Sequence, residues 1–361
     1  MKNKIAIASA FFAASSLSFA EVTLTENLSV EGFVDMSYSH VDNDSVANES
    51  DNSYKLDQVE ITFLLDFGAV SAQVDTEYTT AAGSGELDQA FVNYDLGNGI
   101  TLTAGNYDSM LGFEAFEATG LYQASKAYES KGEIFTDQDI TYSNLITPDT
   151  NNGVKLTYGS GSDIFAISLQ DGAFFADGRL GGDESGNALT DAVTQILDLD
   201  VPLVGFSGHA VEVAYAKDLG NGFNAFLGAV FEETVIDTAG VEIDIDSSVV
   251  NAYLTYETGA WLFAAEYTVT EHDVQNDGSA EIDSFLLMAN YSYSEQASIT
   301  GRFSNVDVKD YLDATKVTAA HNYAFTDNLA LCVELSAVDY DYEGAQSGDI
   351  LEGVVELLFT F

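Results

Sequence analysis

From Glu21 onward, apolar and polar side chains alternate with a period of two, and turn-forming residues interrupt the pattern about every ten to fifteen positions. Leu28, Val30, Val34, Met36 and Tyr38 alternate with Ser29, Glu31, Asp35, Ser37 and Ser39, and Val59, Ile61, Phe63, Leu65 and Phe67 form a second stripe. Successive side chains of a strand face opposite sides, so each stripe predicts a strand with one apolar and one polar face. Similar stretches fall near 69–79, 86–96, 99–107, 135–146, 152–159, 162–171, 209–218, 222–233, 245–257, 260–271, 281–293, 296–306, 315–325, 328–340 and 349–361. In the last of these, Leu351, Val355, Leu357, Phe359 and Phe361 share one face while Glu352, Glu356 and Thr360 take the other. A series of about seventeen such segments predicts an all-β fold over 21–361. The expected form is a transmembrane antiparallel up-and-down β-barrel, apolar outside and polar inside, and the even-number rule narrows it to 16–18 strands.

The turns divide into two classes. Asp95-Leu-Gly-Asn-Gly99 and the identical Asp218-Leu-Gly-Asn-Gly222, with Thr258-Gly259 and Thr326-Asp-Asn328, are tight, and their Gly and Asn supply the positive φ that short hairpins need. Long acidic connections are expected at Asp42–Ser53, Asp237–Asp246, Glu271–Asp283 and Tyr340–Asp349. Short turns at one rim and long loops at the other are the asymmetry of an outer-membrane barrel. Tyr38, Tyr78, Tyr94, Tyr158, Tyr256, Tyr267 and Tyr293 sit near strand ends, where an interfacial aromatic belt would use them.

Residues 1–20 differ from everything after them. Lys2 and Lys4 precede an apolar run from Ile5 to Ala14, and Ser18 and Ala20 fit a small-residue cleavage site, so a signal peptide cut after Ala20 is expected. That run is too short to cross a bilayer as a helix. A terminal Phe361 on an alternating strand has the form of the signal read by the barrel-assembly machinery.

Charge narrows the partners. The chain carries 59 acidic and 11 basic residues, a formal net charge of −48, which excludes nucleic acid because phosphate would be repelled. The chain is also 46% hydrophobic and 12% aromatic, which excludes disorder, so the charge must sit on a folded surface, in loops or in a watery lumen. The single Cys332 forbids an internal disulfide and is expected on the inner wall. His40, His209, His272 and His321 are dispersed without metal-ligand spacing, and the acidic clusters complete no EF-hand, so no metal, cofactor or catalytic residue is assigned.

Two stretches break the strand rhythm. One is 172–208, Gly-rich at Gly178–Gly186 and then helical in spacing at Leu189, Val193, Ile196 and Leu197. The other runs from Gly105-Asn-Tyr-Asp through Leu111-Gly-Phe-Glu114 to Ser125-Lys-Ala-Tyr128. These elements resemble those of the OmpL-like family of outer-membrane β-barrel porins, with Lys126-Ala127 where that family's pattern suggests a second basic residue. The resemblance implies passive diffusion of small hydrophilic solutes and ions.

A polar segment of this length between strands either folds inward or forms an outer loop. Folded inward, Glu114, Glu117, Glu129 and Glu133 facing Lys126 and Lys131 would form a pore constriction, with Lys155 and Arg302 as further inward cations setting a transverse field. Lumenal carboxylates would favour cations, and Arg302→Ala would alter selectivity more than folding. The expected partners are outer-membrane lipids, small solutes and cations, and a homotrimer is the assembly such a fold leaves open. Two alternatives stand beside the porin: a non-conducting structural or adhesive barrel with cation-binding acidic loops, and a barrel enzyme.

Overall fold

The computed structural model describes residues 21–44, 49–79, 85–114, 117–130, 146–174, 205–238, 241–275, 278–343 and 347–361. A two-residue strand β1 (Val22–Thr23) precedes β2 (Leu28–Asn43), β3 (Glu49–Asp66), β4 (Val70–Thr79), β5 (Gly85–Gly97) and β6 (Ile100–Asp108). Then follow β7 (Thr150–Ser160), β8 (Asp163–Gln170), β9 (Gly205–Gly220), β10 (Phe223–Thr238), β11 (Val241–Thr258) and β12 (Trp261–Val274). The chain ends with β13 (Gly278–Ser292), β14 (Ala297–Val308), β15 (Leu312–Thr326), β16 (Leu329–Tyr342) and β17 (Ser347–Thr360).

Each strand from β2 on pairs antiparallel with the next, and β17 pairs with β2, so sixteen strands close a ring and β1 adds a short pairing to β2. Closure removes the unpaired edges of an open sheet. The strand expected over 135–146 falls almost wholly outside the described residues, and the ring passes directly from β6 to β7.

The alternation read from the sequence is the inside-outside pattern of the wall. On β12, Phe263, Tyr267 and Val269 face outward and are exposed, while Glu266, Thr268, Thr270 and His272 are buried inside. On β17, Leu351, Val355 and Phe359 face outward, and Glu352, Glu356 and Thr360 are buried. Cys332 lies on the inner wall as expected.

The rim of tight turns carries outward aromatics, including Tyr94, Tyr158, Trp261, Tyr293, Phe325 and Phe359. Many stack across strands: Phe165 on Tyr215 at 4.5 Å, Phe223 on Tyr256 at 4.1 Å and Trp261 on Tyr291 at 4.5 Å between ring centroids. An aromatic girdle of this kind marks a membrane interface.

At the opposite rim the expected long acidic loops are tall hairpins. β10 runs to Thr238 and β11 starts at Val241, so Asp237–Asp246 is almost wholly strand, and the same holds for Glu271–Asp283 between β12 and β13. Polarity misleads here because it inverts. Above the apolar band, Glu271, Asp273, Asp283 and Asp307 face outward while Val274, Ile282, Val306 and Val308 are buried inside. Those inward apolar residues pack with Met110, Leu111, Phe113, Ile146 and Phe174, so the hydrophobic core lies inside the barrel.

The two Asp-Leu-Gly-Asn-Gly turns are built alike. Asn98 and Asn221 each have φ 56°, flanked by glycines at φ 79° to 86°, and the Asp95 and Asp218 carboxylates each accept the Gly97 or Gly220 N–H at 2.7 Å. A side chain at Gly222 would also collide with the Glu257 carbonyl of the neighbouring strand. Gly222→Ala is therefore expected to destabilise the refolded barrel by about 2 kcal/mol, read as a lower denaturant midpoint. Gly259→Ala lacks that collision and should cost less.

Candidate functional site

The segment after β6 enters the barrel. Residues 109–114 and 117–130, with a single 3-10 turn at Ala118–Gly120, cross the lumen and lie against the inner faces of β9 to β17. Space for entry comes from Gly228 on β10, where an added Cβ would collide with the Leu111 side chain.

The segment has little regular structure, so its backbone N–H and C=O groups need partners other than its own. The wall supplies both kinds. Glutamates accept N–H groups: Glu212 from Met110 at 2.7 Å, Glu266 from Phe113 at 2.7 Å, and Glu334 from Ala124 at 2.8 Å and Ser125 at 3.1 Å. Wall donors meet carbonyls: Ser304 gives to Ala127 at 2.7 Å, Thr300 and Asn322 both give to Tyr122 at 2.8 Å, and Lys316 gives to Glu129 at 2.8 Å. The same device recurs where Glu232 accepts the N–H groups of Ala173 at 3.0 Å and Phe174 at 2.9 Å.

At the centre, Glu114 turns back within the segment. It accepts the Ala127 N–H at 2.7 Å and the Gln123 amide at 2.6 Å, and pairs with Arg302 Nη1 at 2.6 Å. Arg302 also donates to the carbonyls of Ser125 at 2.7 Å and Lys126 at 3.1 Å. Its side chain has no solvent exposure, 0%. This corrects the sequence expectation for Arg302, since a guanidinium sealed beneath the segment is a clamp rather than a charge on an open pore wall.

The other expected residues divide. Lys126 and Glu129 lie 3.9 Å apart and part-exposed at the segment's free edge. Burial alone would lower the Lys126 pKa, but the carboxylates of Glu129, Asp149, Glu117 and Glu114 outweigh it and hold the ammonium above the usual lysine value. Lys155 stands 4.2 Å over the Tyr107 ring rather than in the segment's contacts. Glu117 lies against β3, accepting from Gln58 Nε2 at 2.7 Å. Burial, and then the charges of Glu60, Asp88 and Glu77, hold the Glu117 carboxyl well above the usual carboxylate range. Lys131 and Glu133 lie outside the described residues, as do the residues of the helical spacing at 189–197.

The anchoring residues Glu212, Glu266, Glu334 and Lys316 were not singled out as site residues from the sequence. Their one signal is a charge among small inward neighbours, as Glu334 stands between Cys332 and Ser336. The four histidines remain apart: His40 contacts Asn52, His209 lies near Glu233, His272 contacts Ser247 and His321 contacts Tyr293.

Solved structures similar to this chain include outer-membrane porins and channels. An anion-selective porin from Comamonas acidovorans matches with TM-score 0.64 at 14% identity, over 92% of this chain and 99% of that one. The outer-membrane channel DcaP of Acinetobacter baumannii matches with TM-score 0.64 at 12% identity, over 94% and 99%. OmpT of Vibrio cholerae, an outer membrane protein in its trimer form, matches with TM-score 0.57 at 11% identity, over 93% and 100%. At these identities the likeness is one of fold. No protein-family model matches the chain, and the search of curated proteins finds no match.

Removing one partner of a buried pair leaves the other charge uncompensated. Arg302→Met is expected to destabilise the segment by about 3 kcal/mol and to open residues 109–130 to proteolysis in the folded barrel. Adding Glu114→Gln should recover part of the loss, a coupling that a double-mutant cycle reads directly.

Proposed function

We propose that this chain is an outer-membrane porin that passes small hydrophilic solutes and ions by passive diffusion, with a preference for cations. The observation that carries the reading is the partition of charge inside the ring. Arg302 and Lys316 are buried beneath the inward segment, with side chains 0% and 4% exposed, whereas Glu60, Asp75, Glu77 and Asp88 face one another across β3, β4 and β5 on the side where Glu117 stands. Arg302 and Lys316 are thus consumed in holding the segment, and the acids at β3–β5, with Lys126 acting on Glu77 and Glu117, leave a negative lumenal field to the extent that they are ionised. Such a field raises cation concentration in a narrow passage and is screened as salt rises.

The elements that resemble OmpL-like porins, Gly105–Asp108, Leu111–Glu114 and Ser125–Tyr128, lead into or form the inward segment, which supports membership of that family as part of the proposal. Export by a leader over 1–20, recognition of the Phe361 strand by the assembly machinery, contact with outer-membrane lipids and assembly as a homotrimer complete it.

In a planar bilayer with a salt gradient, the refolded mature chain is expected to give stable conductance steps and a cation-selective reversal potential that shrinks at higher salt. Glu77→Gln should reduce that preference without closing the channel. Anion preference would overturn the charge argument, and a folded but silent barrel would favour the non-conducting alternative.

A further inference from the structure

Among the described residues, one group of acids inside the barrel draws carboxylates from three separate elements together. Glu60 on β3, Asp88 on β5 and Glu117 on the inward segment each bring a carboxylate oxygen to within 4.8 Å of the others. Asp75 on β4 adjoins them. It lies opposite Thr62 in register with β3, and on the other side the ladder slips so that Asp75 faces both Asp88 and Gln89 of β5. Two residues opposing one is a β-bulge, a device that re-aims a side chain. In addition, Glu60 sits directly opposite Glu77, and Glu77 opposite Glu86, which is unfavourable for like charges unless something offsets them.

The neutral donors nearby do not meet the demand. Thr62 gives to Glu60 Oε1 at 3.0 Å, Gln73 to Asp75 Oδ2 at 2.8 Å and Gln58 to Glu117 Oε2 at 2.7 Å. Glu60 Oε2 and Asp75 Oδ1 are buried with no partner, in residues only 8% and 1% exposed. The lumenal ion pairs of the described residues run instead to Glu114, Glu129 and Glu352.

We propose that Glu60, Asp88 and Glu117, with Asp75 beside them, bind a Ca²⁺ ion that ties the inward segment to the wall at β3–β5. Hard divalent cations take carboxylate oxygens, and Ca²⁺, with oxygens at about 2.3–2.6 Å, bridges ligand atoms up to about 5 Å apart in irregular geometry. Mg²⁺ demands a tighter octahedron and keeps its waters. The wall at β9–β17 holds the segment through glutamates and basic groups, and the ion does the equivalent task at β3–β5, where the wall and segment are both acidic. It would at the same time reduce the negative field beside the passage. The competing arrangement is a proton shared between Glu60 and Glu117, which satisfies the same oxygens without metal.

The test is calorimetric titration of CaCl₂ into the full refolded chain in detergent, stripped with chelator and held at constant ionic strength. It reads binding and so is independent of whether the barrel conducts. The expected result is one saturable Ca²⁺ per barrel above any weak surface binding, with Mg²⁺ a poor competitor. Asp88→Asn and Glu117→Gln should each weaken it by about tenfold or more, while Asp313→Asn, on the outer rim, should leave it unchanged. Glu117 lies outside the strand ladders, so its variant tests the site even if Asp88→Asn fails to fold. No saturable event, or one that both inner variants leave intact, would overturn the proposal in favour of the shared proton or of diffuse binding on the acidic surface.

Discussion

An irregular segment held inside a closed barrel must find partners for its backbone away from bulk water, and the inner wall is organised around that requirement. A strand satisfies its own polar groups through its neighbours, but residues 109–114 and 117–130 have no ladder to join. Each unmet N–H or C=O would cost about 1–3 kcal/mol. Glu212, Glu266 and Glu334 are therefore acceptors for backbone donors first and charges second, and Ser304, Thr300, Asn322, Arg302 and Lys316 are the matching donors. Because a carboxylate accepts through two oxygens, one glutamate serves several donors: Glu334 takes two N–H groups on Oε2 and the Ser125 hydroxyl on Oε1.

This requirement explains why an interior with so many acids holds a segment rather than repelling it. The Glu114–Arg302 pair lies where the segment doubles back, so one guanidinium serves the Glu114 carboxylate and two successive carbonyls, Ser125 and Lys126. Arginine suits that place because its planar fork presents several donors in fixed directions, which a lysine cannot do. Lys316 works as a point charge nearby, reaching the Ser125 hydroxyl and the Glu129 carbonyl at 2.8 Å and the Glu352 carboxylate at 3.5 Å.

The barrel itself was legible because its physics is local. Alternation at Val355, Leu357 and Phe359 against Glu356 and Thr360 follows from pleat geometry, and the two Asp-Leu-Gly-Asn-Gly turns follow from φ. What lay beyond reading depends on distant partners. Nothing in Leu111-Gly-Phe-Glu114 tells whether it faces water or the wall, since its contacts are with Gly228, Glu266 and Arg302 more than a hundred residues away. Arg302, between Gly301 and Phe303, was legible as an inward cation but not as a buried one, because burial is conferred by the segment above it. The tall hairpins look like loops in the sequence for a third reason. Where the outer face leaves the apolar band, Asp273 and Asp283 are as polar as a loop, and only their inward neighbours Val274 and Ile282 reveal a strand.

Behind the formal charge of −48, the acids of the described residues include three populations with different physical consequences. Carboxylates such as Glu334 are spent on backbone donors, and their fields are largely met where they stand. A second population faces outward above the apolar band, where Asp283, Asp307, Asp313 and Asp341 stand directly opposite one another across four successive strands. Water and salt screen them, so a row of like charges is tolerable there and contributes little to the lumen. A third group, Glu60, Asp75, Glu77, Asp88 and Glu117, lies inside the ring with no ion pair as close as those of Glu114 or Glu352, Lys126 acting on Glu77 and Glu117 only at longer range. Composition therefore overstates how much of the acidity faces the lumen. For the proposed channel, the acids that matter are these few, on the side of the lumen opposite the clamp, and their effect depends on whether a proton, a metal ion or nothing occupies the space between them.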